Sequence, residues 1–123
     1  IDWMYSSIIL KKKLYMFNNI VFNPIHSKIF LKYIEKIIHS KEKGIWHING
    51  KDICSKYEFA ISFFKKLGIN SEHIISTEYS KKMLFAPRSI NQFLNCNKFE
   101  DQFNLKMPSL NQNINKLKLE LKI

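Results

Sequence analysis

Apolar residues recur at three- and four-residue spacing from Ile29 to Ile38 (Ile29, Phe30, Tyr33, Ile34, Ile37, Ile38). That period predicts an amphipathic helix capped by Ser27 and running to about His39. A second helix is predicted behind Ser55-Lys56-Tyr57-Glu58. This tetrapeptide is a capping box, in which a hydroxyl and a carboxylate each take an amide left open at a helix start. Phe59, Ala60, Phe63, Phe64 and Leu67 form its apolar side, and Gly68 ends it. A helix is also expected from Asp2 to Lys13, with Trp3, Ile8, Ile9 and Leu10 as its buried stripe. Asn95 can cap a short helix from Cys96 to Phe103. Ser109-Leu110-Asn111-Gln112 repeats the box pattern and opens a terminal helix through Leu121.

The remaining apolar stretches are too short for helices. Leu14 to Phe22 reads as extended, broken by the turn signal Asn18-Asn19. Ile45 to Asn49, between Gly44 and Gly50, alternates like a strand, and so do His73 to Glu78 and Gln92 to Leu94. Phe22-Asn23-Pro24-Ile25-His26 is a rigid loop, because Pro24 fixes its own φ and biases Asn23 toward extended backbone. Tyr79 to Arg88 is a polar loop containing Pro87. The strand and capped helix from Gly44 to Gly68 form the clearest local architecture. The fold class is mixed α/β, with short strands and about five helices, too few strands for a free-standing doubly wound sheet.

Composition narrows the class further. With 123 residues, 46% of them hydrophobic, the chain supports one modest core and one domain. Intrinsic disorder is excluded by that apolar content, and a collagen-like chain by three glycines and three prolines. Two cysteines, Cys54 and Cys96, make no disulfide scaffold, and free thiols fit a reducing cytoplasm. No apolar run approaches the roughly 18 residues of a membrane-spanning helix. The chain opens on Ile1, which reads as a piece of a longer product.

Lys and Arg number 20 against 10 acidic residues, giving a net charge of +10, and Arg88 is the one arginine. The lysines are scattered in pairs and triples. They accompany many Ile and Asn residues, whose codons are also AT-rich, so codon drift accounts for them without a nucleic-acid surface. The arginines that usually contact bases are nearly absent. Retaining Arg88 where lysine fills every other basic position points to bidentate binding of phosphate or carboxylate, or to a structural ion pair. Asn23 and His26 stand in the loop at a helix start, where open amides and a positive dipole can meet an anion; the alternative is an ordinary strand-to-helix turn.

The usual catalytic signatures are missing. There is no GxGxxG or P-loop and no paired His/Cys spacing for zinc. His39 reads as a solvated surface residue and His47 as a hydrogen-bonded structural one. Cys54 and Cys96 read as small buried side chains, and Tyr33 as part of an apolar stripe.

In order along the chain, five segments are familiar. Phe22-Asn23-Pro24-Ile25-His26 leads into an apolar helix, and Gly44-Ile45-Trp46-His47-Ile48-Asn49-Gly50 follows. Ser55-Lys56-Tyr57-Glu58-Phe59-Ala60 comes next, then Ala86-Pro87-Arg88 through Leu94-Asn95-Cys96-Asn97-Lys98-Phe99, then Lys106-Met107-Pro108-Ser109-Leu110. In this order they resemble the C-terminal portion of dTDP-4-dehydrorhamnose reductase and its relatives, within the extended short-chain dehydrogenase/reductase superfamily. Ser89, Gln92, Asn95 and Leu110 depart from that pattern, where the family usually has Pro, Ser, Asp and Trp.

The resemblance implies a Rossmann-type parent that uses NADPH or NADH to reduce the 4-keto group of a nucleotide-linked deoxysugar. Residues 1–123 would be a single C-terminal substrate-binding lobe. The glycine-rich loop and the catalytic Tyr-Lys pair would lie in an N-terminal dinucleotide-binding domain outside this chain, so the chain alone would bind no cofactor and be inactive. Arg88 would meet a negative group of the sugar nucleotide, with Asn23 and His26 lining the cleft. A homodimer is compatible with this reading. Two alternatives stand beside it. One is a non-catalytic regulatory relative of the same fold, like the regulatory subunit of methionine adenosyltransferase. The other is a small basic nucleic-acid-binding protein, which would bind DNA or RNA with steep salt dependence.

Overall fold

The computed structural model describes residues 1–80 and 86–121. In chain order the elements are α1 (Asp2–Ile9), β1 (Leu14–Phe17), β2 (Val21–Phe22), α2 (Ser27–Ser40), β3 (Cys54–Ser55), α3 (Lys56–Leu67), β4 (Ile74–Thr77), α4 (Asn97–Phe103) and α5 (Leu110–Leu121). The mixed α/β class and the five helices agree with the sequence pattern. Part of the expected loop before Arg88, residues 81–85, lies outside the described residues. The chain forms two compact units, Ile1–Phe22 with Cys54–Gln92, and Asn23–Ile53 with Phe93–Lys122. Among the described residues no helix is long and apolar enough to cross a membrane.

The first unit is built on a parallel pair. β1 and β4 run in register from Leu14↔Ile74 to Phe17↔Thr77, with Leu14 and Met16 buried and Tyr15 exposed, as a two-residue period requires. α3 packs against both strands. It starts as the sequence demands: Ser55 Oγ accepts from Glu58 N at 3.0 Å and Glu58 Oε2 accepts from Ser55 N at 2.7 Å. Such a cap contributes about 1 kcal/mol. The helix ends at Gly68, whose φ of 71° is the left-handed conformation that glycine adopts without strain. Its Phe63 and Phe64 have no exposed surface, and each side chain contributes roughly 2–3 kcal/mol through burial. Beside them, β2 pairs antiparallel with β3 through Val21↔Ser55 and Phe22↔Cys54.

α1 is shorter than its pattern. It stops at Ile9, and Lys11 turns away with a φ of 52°. Its buried residues are Met4 and Ile8, four apart on one face, while Trp3, Ile9 and Leu10 are exposed. Several apolar residues left more than one stripe open, and Met4–Ile8 is the one that buries.

The second unit gathers around Phe99. This ring is fully buried, 5.3 Å from Tyr33, 6.3 Å from Trp46 and 4.7 Å from Phe103 between centroids. Ile48, Cys96 and Met107 complete the buried cluster, and Ile34 and Ile37 of α2 pack against it half-buried. The far side of α2 stays wet, and Ile38 is 68% exposed. α5 carries the second capping box: Ser109 Oγ accepts from Gln112 N at 3.2 Å, and Gln112 Oε1 accepts from Ser109 N at 2.8 Å.

Five local expectations are corrected. The cap of α2 is His26, one residue before Ser27, because its ring reaches back to the Lys28 amide. Asn95 does bond the Asn97 amide, at 2.8 Å, but the cap position of α4 falls to Cys96. Ile45 to Asn49 has a strand's alternation but no ladder, since no strand lies beside it among the described residues. The boundary between units also falls at Ile53, so this segment and α3 do not form one local unit. Gln92 to Leu94 is likewise no strand; the neighbouring Asn91 makes a single parallel bridge to Val21.

Candidate functional site

Asn23 is 4% exposed, and its side-chain amide is fully used. Nδ2 donates to the carbonyls of Gly50 and Leu94, both at 2.9 Å, while Oδ1 accepts from Asn49 Nδ2 at 2.8 Å and Leu94 N at 3.1 Å. The Asn23 carbonyl in turn accepts from Gly50 N at 3.2 Å. One asparagine therefore ties three chain segments together. Beside it opens a cleft of about 370 Å³, with Gly50, Leu94 and Asn95 in its walls, Lys51 and Lys106 at exposed positions, and Glu100 partly buried. Glu100 Oε1 is taken by the Met107 amide at 2.7 Å. Cys96 also lines the cleft; burial pushes its thiol above the ordinary range, so it stays protonated and a poor nucleophile.

His26 is equally engaged. Nδ1 accepts from Lys28 N at 3.2 Å, which leaves the proton on Nε2, 3.0 Å from Glu120 Oε2. The His26 amide donates to buried Asn113 Oδ1 at 2.8 Å, and Lys28 Nζ lies 2.6 Å from Glu120 Oε1. The start of α2 is thus clamped to the end of α5.

Hydrogen bonding from Lys28 is the largest influence holding the Glu120 carboxyl below its ordinary value of 4.5, and the interaction with His26 adds to it. Because the folded-state value lies below the unfolded one, the stabilisation is present above the ordinary carboxylate range and is lost as pH falls through the folded value. Glu120→Gln is therefore expected to lower Tm at pH 6, with the gap to the parent chain narrower at pH 3. A gap of equal size at both pH values would show that the charge of Glu120 is not what holds α5.

Arg88 belongs to the other unit. Its amide donates to the Tyr79 hydroxyl at 2.8 Å. Tyr79 is itself fixed: its amide donates to Asn19 Oδ1 at 2.8 Å, and its ring meets Phe17 edge-on at 5.5 Å. The Arg88 side chain is exposed, and among the described residues it has no carboxylate partner. The structural ion pair that the sequence left open is therefore not formed among those residues.

Sequence reasoning missed Lys56. It opens α3 half-buried, its Nζ 3.4 Å above the centre of the Phe22 ring. Burial is the main cause that lowers its pKa; Cys54 opposes this, and the Arg88 guanidinium lowers it further. The signal was the Lys inside a capping box one residue beyond an apolar strand, which reads only as helix-start chemistry.

The residues present do not fit a nicotinamide dinucleotide. Gly44 precedes a segment without a ladder, Gly50 is pressed against Pro24, and Gly68 ends α3, so none makes a strand–turn–helix phosphate cradle. Among the described residues, no three His, Cys, Asp or Glu side chains gather as metal ligands.

The fold is that of known reductases. A dTDP-4-dehydrorhamnose reductase from Bacillus anthracis, determined in complex with NADP, superposes with a TM-score of 0.88 at 18% identity, covering 97% of this chain and 42% of that one. The orthologue from Clostridium acetobutylicum gives 0.75 at 21% identity, over 98% of this chain and 42% of that one. A dTDP-4-dehydrorhamnose reductase from Yersinia enterocolitica gives 0.76 at 15% identity, over 92% and 41%. The chain thus spans about two-fifths of the length of these structures. No curated protein matches it in sequence. Residues 7–122 match the family model of the RmlD substrate binding domain, and the chain belongs to that family.

Proposed function

We propose that this chain is the substrate-side portion of an NAD(P)H-dependent sugar-nucleotide reductase, one that reduces the 4-keto group of a dTDP-linked deoxysugar. The observation that carries the reading is the match to a substrate-binding domain over nearly the whole chain. The fold shared with dTDP-4-dehydrorhamnose reductases supports it. Hydride transfer belongs to a nicotinamide cofactor held by residues other than these.

This chain's own residues bind and orient. Arg88 supplies the planar donor fork that suits a phosphate oxygen pair. Asn23 and His26 serve through the backbone they hold, since Asn23 fixes the turn against Gly50 and Leu94 and His26 fixes the start of α2.

Calorimetric titration of the chain with dTDP-rhamnose, UDP-glucose and NADPH tests the reading. The expected result is saturable binding of the dTDP-linked sugar, weaker binding of UDP-glucose and none of NADPH. A chain that melts cooperatively yet binds neither sugar nucleotide would overturn it.

A further inference from the structure

We propose that the start of α2 is a proton-operated switch, in which the helix cap passes from His26 to Ser27 when the His26 ring takes up a proton. The switch follows from which ring nitrogen must accept. His26 Nδ1 faces the Lys28 amide at 3.2 Å, and an amide nitrogen only donates, so Nδ1 has to present its lone pair. An imidazolium carries a proton on both nitrogens, so no rotation of a charged ring restores that bond. The other histidine of α2 is the contrast. His39 Nδ1 lies 2.7 Å from the Glu35 carbonyl, which only accepts, so this nitrogen holds a proton and keeps its bond in either charge state. His47 Nδ1 stands the same way toward the Asn95 carbonyl, at 3.3 Å. Of these three rings, His26 alone loses a bond by gaining a proton.

Two charged side chains face the His26 ring, one from each helix. Glu120 Oε2 of α5, 3.0 Å from Nε2, favours a positive ring, and Lys28 Nζ of α2, 2.6 Å from Glu120 Oε1, opposes it. Lys116 of α5 lines the same hollow as Lys28 and Glu120. Nε2 donates to Glu120 before and after protonation, so α5 stays tied while the cap opens. The His26 backbone is held as well, because its amide donates to buried Asn113 Oδ1 at 2.8 Å. The side chain is 4% exposed, which leaves a donor-against-donor contact no easy escape into solvent.

Ser27 is the second cap. It is exposed at the helix start, and serine is among the strongest capping residues. With Ser27 as cap the helix begins one residue later, and its hydroxyl accepts from Ile29 or Phe30, the second and third helical amides. Both amides now donate to the His26 carbonyl, at 3.0 and 2.9 Å. Neutral His26 keeps the longer helix because its ring adds the bond to Lys28 while its carbonyl holds the next two amides. That is why Ser27, the better capper by residue type, lies inside the helix. The switch sits three residues from Asn23, which walls the cleft, and it does not rest on the function proposed above.

The experiment is an NMR titration of the full chain from pH 8 to pH 5, the range in which an ordinary imidazole changes charge. It follows the His26 ring nitrogens and amide exchange at Lys28, Ile29 and Phe30, corrected for the intrinsic pH dependence of exchange. At pH 8 the ring is expected to hold its proton on Nε2 alone. As pH falls, the Lys28 amide is expected to shift in step with the ring and to lose about fivefold in protection, the worth of one cap bond. Ile29 and Phe30 are expected to keep their protection in the parent chain. In Ser27→Ala they are expected to lose about fivefold at pH 5 and nothing at pH 8. His26→Asn, a cap that does not titrate, is expected to protect Lys28 equally at both pH values. In Glu120→Gln the Lys28 amide is expected to follow the ring still; loss of that response would place the sensor in the carboxylate and overturn the proposal. A ring protonated on Nδ1 at pH 8, or a Lys28 amide indifferent to the ring, would overturn it too. So would a Ser27→Ala chain whose Ile29 and Phe30 amides behave alike at both pH values.

Discussion

Gly50→Ala is expected to cost about 3 kcal/mol of stability, near the upper end for an overpacked site. A Cβ at this position would stand 2.1 Å from the Pro24 carbonyl oxygen and 3.1 Å from its carbon. Neither side can give way easily. Gly50 N donates to Asn23 O at 3.2 Å and Gly50 O accepts from Asn23 Nδ2 at 2.9 Å, so the two segments are bonded at the point of collision. Pro24 is stiff, and the loop leads within two residues into the start of α2. Gly68 is the contrast. It needs only its φ of 71°, and a Cβ there would meet nothing within 4 Å, so Gly68→Ala is expected to lose about 1 kcal/mol. Urea unfolding followed by circular dichroism checks the order of the two losses. Equal midpoints for the two variants would mean that the loop around Pro24 yields, and that the close approach is not a constraint on this family's turn.

That close approach also separates what the sequence could announce from what it could not. Ser55–Glu58 and Ser109–Gln112 were legible because each box closes within four residues, and the hydrogen bonds they make are local. Gly68 was legible for the same reason. The parallel pairing of Leu14 with Ile74 spans two helices, and nothing in either tetrapeptide names the other. Ile45 to Asn49 shows the opposite failure, a correct alternation with no strand beside it to make a ladder. At the site, Arg88 stood out because it was the one arginine. Lys56 was hidden inside a motif that already had an explanation. Asn23 and His26 were selected for a ligand, yet their side chains are occupied by partners far away in sequence, at Leu94 and Glu120.

Asn23→Leu turns that last point into a measurement. An amide has two donors and an acceptor oxygen with two lone pairs, and Asn23 has filled all four with Gly50, Leu94 and Asn49. Its hydrogen-bonding capacity is spent within the protein, while it also lines the cleft. Leucine keeps the branched outline, though it is larger, and leaves two carbonyls, one backbone amide and one side-chain amide without a partner in a nearly closed space. Each orphan costs about 1–3 kcal/mol when no water reaches it, and the sum is moderated by relaxation toward the neighbouring cleft. The expected loss is about 3 kcal/mol, with the affinity of the remaining folded chain for dTDP-rhamnose changed by less than about twofold. Stability comes from urea midpoints, and affinity from titrations corrected for the folded fraction. Intact stability with lost binding would make Asn23 a direct ligand contact. Lost stability with intact binding would make it the knot that holds Gly50 and Leu94 in place, leaving recognition to other residues.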